Sequence, residues 1–197
     1  MKLQDLHPPI IELAAGQSFH RVQLSRARKT SVRMNGLLLA PVGLLADRFD
    51  LPDEATAYLA DSEYTALYES RFRREVVSRS FAELARLSVV TFTTRGVLRL
   101  ADLRTLAEPY PVLQAQRIAI TQTFAHDCRH HGLDGILYAS AQHPNHVCAA
   151  LFESGIQQLR KASALPLVKP GTRQLQTCVT DAARRSGVPL LDVPEQG

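Results

Sequence analysis

Thr56-Ala57-Tyr58-Leu59-Ala60-Asp61-Ser62-Glu63-Tyr64-Thr65-Ala66-Leu67-Tyr68-Glu69 contains the change of pattern from which the rest of the chain is read. Thr56–Ala60 is short, carries Thr and Tyr, and predicts a strand. Asp61-Ser62 then supplies side-chain oxygens able to cap a helix, with Glu63 in the first turn, where negative charge suits the helix dipole. The helix is expected from about Glu63 to Val77. Glu69 falls two residues after Leu67 and three after Ala66, beside the apolar stripe, whereas Arg71, Arg73 and Arg74 are expected to point elsewhere around the helix.

Working outward towards the N-terminus, Ser18–Leu24 partly alternates and predicts a strand. Ser25–Arg33 is basic and reads as a loop, and Asn35–Asp53 as an irregular Gly- and Pro-containing segment. Residues 1–17 read as a polar entry segment. In the other direction, Leu87–Thr94 is rich in β-forming residues and Val97–Leu100 follows after Arg95-Gly96. Pro109 and Pro111 then punctuate the chain. Val112–His131 predicts the clearest helix, with Leu113, Ile120, Phe124 and Cys128 on one face. Arg129, His130 and His131 suit its C-terminal end, His130-His131 reading as a solvated terminus, and Gly132 provides the stop. Asp134–Ser140, Val147–Phe152 and Ile156–Leu159 predict three further strands, the last two separated by Glu153-Ser154-Gly155. Strands and helices do not alternate regularly, which favours an α+β mixed sheet with flanking helices over a doubly wound parallel sheet. The expected organisation is an N-terminal extension over 1–17, one domain over 18–160, and a tail over 161–197, packed on the domain or fraying.

The 197 residues suffice for a substantial core. No apolar run reaches the ~18 residues of a membrane span; the longest, Leu37–Ala46, is broken by Pro41 and Gly43. The first residues lack the apolar stretch of a signal peptide. Cys128, Cys148 and Cys178 are few and odd in number, as expected of reduced thiols in a cytoplasmic protein. Neither CxxC nor HExxH occurs, so no metal site is expected. The net charge of +4 rests mostly on arginines, whose forked donors suit phosphate. With 6% aromatic residues and no basic–aromatic interleaving, direct nucleic-acid binding is disfavoured.

There is no P-loop, no GxGxxG and no GxSxG elbow. What remains is a scattered polar set: Arg21 on a strand, Arg48 in a loop, Tyr58 on a strand, Glu69 in a helix and Ser140 at a strand end. Each has a plain structural reading, as a strand charge, a core aromatic with its hydroxyl at the rim, or a solvated helix charge. No His–Asp pair presents itself to make Ser140 a nucleophile.

Arg48-Phe49-Asp50, then Thr56–Ala60 with its Tyr58, then Thr65-Ala66-Leu67-Tyr68-Glu69 resemble the RES-domain family of bacterial toxins. Phe19-His20-Arg21-Val22 is similar to that family's opening strand. Gly132–Ser140, followed by Pro144-Asn145 and Leu151-Phe152-Glu153, resembles its second signature. The likeness spans roughly residues 18–160. It departs at Asp50, where the family often has Asn, at Ala139, where Pro commonly precedes the Ser, and in a long Arg21–Arg48 loop. The resemblance implies an ADP-ribosyltransferase-like α+β fold, NAD as substrate, and the toxin role of a toxin–antitoxin pair. It implies Glu69, Arg21, Tyr58 and Ser140 as catalytic residues and Arg21, Arg48, Tyr58, Ser140 and Asn145 as NAD contacts, without a metal. Inorganic phosphate is a possible co-substrate. Tyr58 would stack on nicotinamide or bond the ribose, and Ser140 would orient Glu69 or a ribose hydroxyl. A cognate antitoxin covering the cleft is implied, with nucleic acid reached only through it. Protein ADP-ribosylation, and a non-enzymatic interaction protein of the same fold, are the alternatives.

Overall fold

The structure is a computed structural model that describes residues 2–106 and 118–193. Its centre is an eight-stranded sheet built from β1 (Ile10–Leu13), β2 (Ser18–Leu24), β5 (Ala57–Ala60), β7 (Leu87–Thr94), β8 (Leu98–Asp102), β9 (Gly135–Ala139), β10 (Val147–Leu151) and β11 (Leu159–Pro166). The spatial order is β1-β8-β9-β10-β5-β2-β7-β11. Only β8 and β9 run parallel within it; the other neighbours are antiparallel. A hairpin of β3 (Val32–Met34) and β4 (Leu37–Leu39) lies apart, as does the two-residue parallel pair of β6 (Arg79–Ser80) and β12 (Leu190–Leu191). The expected mixed α+β class holds.

Neighbouring residues of a strand face opposite sides of a sheet, and two cores follow. Val89, Ile136 and Ala150 join one core with Leu67, Phe124 and Val179, contributed by α2 (Glu63–Ser70), α4 (Ile118–His130) and α6 (Thr177–Ser186). Val90, Leu137 and Ala149 face the other, which Leu37 and Leu39 of the hairpin close. The smaller helices are α1 (Leu3–Leu6), α3 (Phe81–Leu84) and α5 (Glu153–Gln157), with a 3-10 turn at Arg104–Leu106.

β2 and β7 have the bounds expected from the sequence. Other elements differ. The segment read as a polar entry forms α1 and β1, and β1 pairs with β8 at the edge of the sheet. α2 ends at Ser70 rather than Val77. Phe72 must reach the core, where it is 2% exposed, while Val77 is 86% exposed, so the chain turns between them. Arg79 Nε donates to the Arg71 carbonyl at 2.8 Å and holds that turn. Residues 156–157, expected in a strand, belong to α5, and β11 begins at Leu159. Gly155 permits this: a Cβ there would lie 2.5 Å from the Asp134 carbonyl oxygen. The tail supplies α6, whose Cys178, Val179 and Ala182 are buried.

In α4, Phe124 and Cys128 are fully buried. Gly132 at φ +72° ends the helix, and the Leu133 amide donates back to the Cys128 carbonyl at 3.2 Å. Val112, Leu113 and the rest of the expected helix before Ile118 lie outside the described residues, as do Pro109 and Pro111.

Candidate active site

β2 and β5 are neighbours in the sheet, yet they are paired only at His20 and Ala60. Beyond that bridge they part, and three consecutive residues of each strand, His20-Arg21-Val22 and Tyr58-Leu59-Ala60, line a cleft of about 450 Å³. Arg21 spans the divergence: its Nη1 donates to the Tyr58 carbonyl at 2.7 Å, replacing a backbone donor. Its Nε is buried without a partner. Burial lowers the guanidinium's proton affinity, opposed chiefly by the charge of Asp47.

The Arg48-Phe49-Asp50 turn forms a second wall. The Tyr58 hydroxyl accepts from the Phe49 amide at 2.9 Å and donates to Asp50 Oδ1 at 3.0 Å. Burial raises this phenol far above its ordinary value, with Asp50 adding to the effect. The hydroxyl thus holds the turn, and Tyr58 is one of the residues that line the cleft. Phe49 is fully buried against Tyr138, ring centroids 5.3 Å apart. The Arg48 guanidinium lies over the Tyr138 ring, 4.9 Å from its centroid. Asp47 also lines the cleft; burial and Asp50 raise its carboxyl.

The third wall is α2. Ser62 caps it, accepting from the Thr65 amide at 3.1 Å. Asp61, the other expected cap, instead accepts from the Val147 amide at 2.9 Å at the start of β10. The helix presents Glu69 to the cleft. Ser140 Oγ donates to Glu69 Oε1 at 2.5 Å, and the Gln142 amide donates to the same oxygen at 3.1 Å. Ser140 Oγ in turn accepts from the His143 amide at 2.9 Å. The turn after β9 therefore clamps the carboxylate, and the serine hydroxyl is given to Glu69 rather than to an imidazole.

Arg21, Arg48, Tyr58 and Glu69 line one cleft, and Ser140 touches it through Glu69. Asn145 does not join them. It is exposed in the turn before β10 at φ +66°, a left-handed conformation that asparagine tolerates. Arg71 and Arg73, expected to point away, line the cleft because α2 stops before them. Arg73 Nε donates to the Glu69 carbonyl at 2.5 Å.

Two features were not legible in the sequence. His20 lines the cleft, and burial lowers its imidazole from the ordinary value. A pair of stacked imidazoles, His143 and His146, lies 3.7 Å apart behind the Ser140 turn. His146 faces Asp61 at 3.0 Å, and His143 Nδ1 meets Thr65 Oγ1 at 2.9 Å. Cys148 also lines the cleft, but burial pushes its thiol well above the ordinary value, away from thiolate reactivity. Among the described residues no His, Cys, Asp and Glu cluster suits a metal ion, and no helix is long and apolar enough to cross a membrane.

An acid held by two donors shares a cleft with several arginines in an α+β protein whose central sheet is mixed. A model of the RES domain matches residues 18–170, from the first residue of β2 to beyond β11, and the chain belongs to the RES domain family. A search of curated proteins gives no match. Among solved structures, a chain of the M.tuberculosis MbcT–MbcA toxin–antitoxin complex shares the fold, with a TM-score of 0.52 at 14% identity. The similarity covers 79% of this chain and 86% of that one.

Proposed function

We propose that this chain is a toxin that cleaves the nicotinamide–ribose bond of NAD. The observation that carries the reading is the Glu69 carboxylate, held by the Ser140 hydroxyl and the Gln142 amide on the wall of a cleft that also contains Arg21 and Arg48. Breaking the bond sends its electron pair to the nicotinamide nitrogen and leaves positive charge on the ribose, as in glycoside cleavage. A carboxylate already fixed in place stabilises that charge without reorganising. Arg21 and Arg48 supply forked cationic donors for the pyrophosphate. The Tyr58 ring offers a stacking surface for nicotinamide. The oxygen of water or of inorganic phosphate then bonds to the ribose carbon, and the attacking water releases a proton to solvent.

Membership of the RES domain family and the fold shared with a toxin–antitoxin complex support a partner antitoxin that covers the cleft. The proposed site of action is the cytoplasm. Expression of the chain alone should deplete NAD; harmless expression of folded protein with NAD levels intact counts against the toxin role.

The activity is tested by incubating the purified chain with NAD, with and without phosphate, and weighing the products. Nicotinamide with ADP-ribose indicates hydrolysis, and nicotinamide with ADP-ribose 1″-phosphate indicates phosphorolysis. Nicotinamide with a modified protein would redirect the reading to ADP-ribosyl transfer. Intact NAD under all conditions overturns it.

A further inference from the structure

The cleft holds two guanidiniums that the fold leaves incompletely paired. Arg21 spends Nη1 on the Tyr58 carbonyl, and its Nε is buried with no partner. Arg71 Nε is likewise buried with no partner. The one ion pair of Arg71 among the described residues is to Glu83 Oε1 at 3.7 Å, and that oxygen already accepts Arg79 Nη1 at 3.1 Å. Both arginines line the same cleft. Burial lowers the proton affinity of each, and the charge of Arg71 lowers that of Arg21 further.

Asp47 is the main charge opposing burial at Arg21, and Glu83 does the same at Arg71, yet neither buried Nε has a hydrogen-bond acceptor, and a buried donor left unpaired is unfavourable. Arg71 caps the C-terminus of α2, where a cation is favoured. That accounts for a positive charge at this position. It does not account for a buried Nε without an acceptor, nor for placement in the cleft with Arg21. The position is also anchored, because Arg79 Nε holds the Arg71 carbonyl at 2.8 Å. Planar forked donors match the oxygens of a phosphoryl group better than any other common anion except a carboxylate.

We propose that Arg21 and Arg71 form a two-guanidinium site for a phosphoryl group, with Arg71 setting the affinity for it. This rests on the NAD reading and assigns a binding role to a residue outside the set expected from the sequence. The diphosphate of the nucleotide and free inorganic phosphate share the chemistry, and the test separates them.

The full chain, Arg71→Gln and Arg71→Lys are titrated calorimetrically with ADP, adenosine and inorganic phosphate, beside their melting curves. Arg71→Gln should weaken ADP binding by about 10- to 100-fold, the range for a lost charged hydrogen bond, and leave adenosine unchanged. Arg71→Lys keeps the charge without the fork and should fall between parent and Gln. If phosphate affinity drops while ADP affinity holds, the site stands with free phosphate as its occupant. Parental affinities for both anions in folded Arg71→Gln overturn the site, as does a parent that binds neither. Should Arg71→Gln not fold, Arg71→Lys decides by the same comparison. A chain that does not cleave NAD but binds ADP through Arg71 keeps this site and loses the NAD reading. Cleavage of NAD with anion affinities independent of Arg71 does the reverse.

Discussion

Ser140→Ala removes one oxygen and three hydrogen bonds. The hydroxyl donates to Glu69 Oε1 at 2.5 Å and accepts from the amides of His143 at 2.9 Å and Gln142 at 3.3 Å. The bond to the carboxylate is charge-assisted, and such bonds contribute about 1.5–3 kcal/mol. The site is half-buried, so the lower part of that range applies to stability, about 1–2 kcal/mol. For a domain of this size that lowers Tm by about 2–8 °C. Catalysis should suffer more. Glu69 keeps the Gln142 amide at 3.1 Å but loses its shorter contact, and the turn that aims it loses its internal acceptor. If most of the charged hydrogen bond is expressed in the transition state, kcat falls by about 10- to 100-fold with little change in KM. Ser140→Thr retains the hydroxyl and should recover much of the loss. The assay is steady-state NAD cleavage with melting curves alongside. A folded Ser140→Ala protein with parental kcat would refute the clamp on Glu69.

Further outcomes are expected from single features of the fold. Arg48→Ala should weaken NAD binding, with a larger loss at low salt because screening already reduces the interaction at high salt, and calorimetry at two ionic strengths checks it. Gly135→Ala should destabilise the protein by about 2 kcal/mol or more, since a Cβ there would meet the Ala150 carbonyl oxygen at 2.3 Å and that closest atom is backbone; a denaturant midpoint measures this. Burial, followed by the neighbouring His146, holds the His143 imidazole below its ordinary value of 6.5, with Asp61 and Glu69 opposing. Below 6.5 the unfolded chain takes up a proton that the folded chain resists, so stability should decline as pH falls through that value. His143→Gln should flatten the decline in a series of melting curves.

β2 and β7 were legible to the residue because β-forming side chains run through both and turn residues bound them. The start of α2 was legible because Ser62 caps it locally. Its end was not, because what stops the helix is the burial of Phe72 in a distant core and the contact of Arg79 with the Arg71 carbonyl. Arg71 and Arg73 were therefore assigned to the wrong side. α5 was missed for a similar reason: Glu153-Ser154-Gly155 reads as the separator of two strands, whereas Gly155 admits the backbone of Asp134. Arg21, Arg48, Tyr58, Glu69 and Ser140 were singled out by motif order, and no local pattern told that they converge. Their meeting depends on the divergence of β2 from β5 and on the turn after β9, both tertiary features. Asn145 belonged to the same motif but lies outside the residues that line the cleft, in a turn at positive φ.

The most direct measurement is NAD turnover by Glu69→Gln. The substitution keeps the length and shape of the side chain and removes only its charge. Gln suits a helix as well as Glu, so the fold should persist. The Ser140 hydroxyl and the Gln142 amide can still donate to the amide oxygen. A carboxylate that stabilises developing ribose charge acts on the transition state more than on bound NAD. Turnover should therefore fall by roughly 10²-fold or more while NAD affinity changes little, in line with losing one preorganised electrostatic group. A well-folded Glu69→Gln protein that cleaves NAD at the parental rate would contradict the assignment of Glu69 and, with it, the catalytic reading of the cleft.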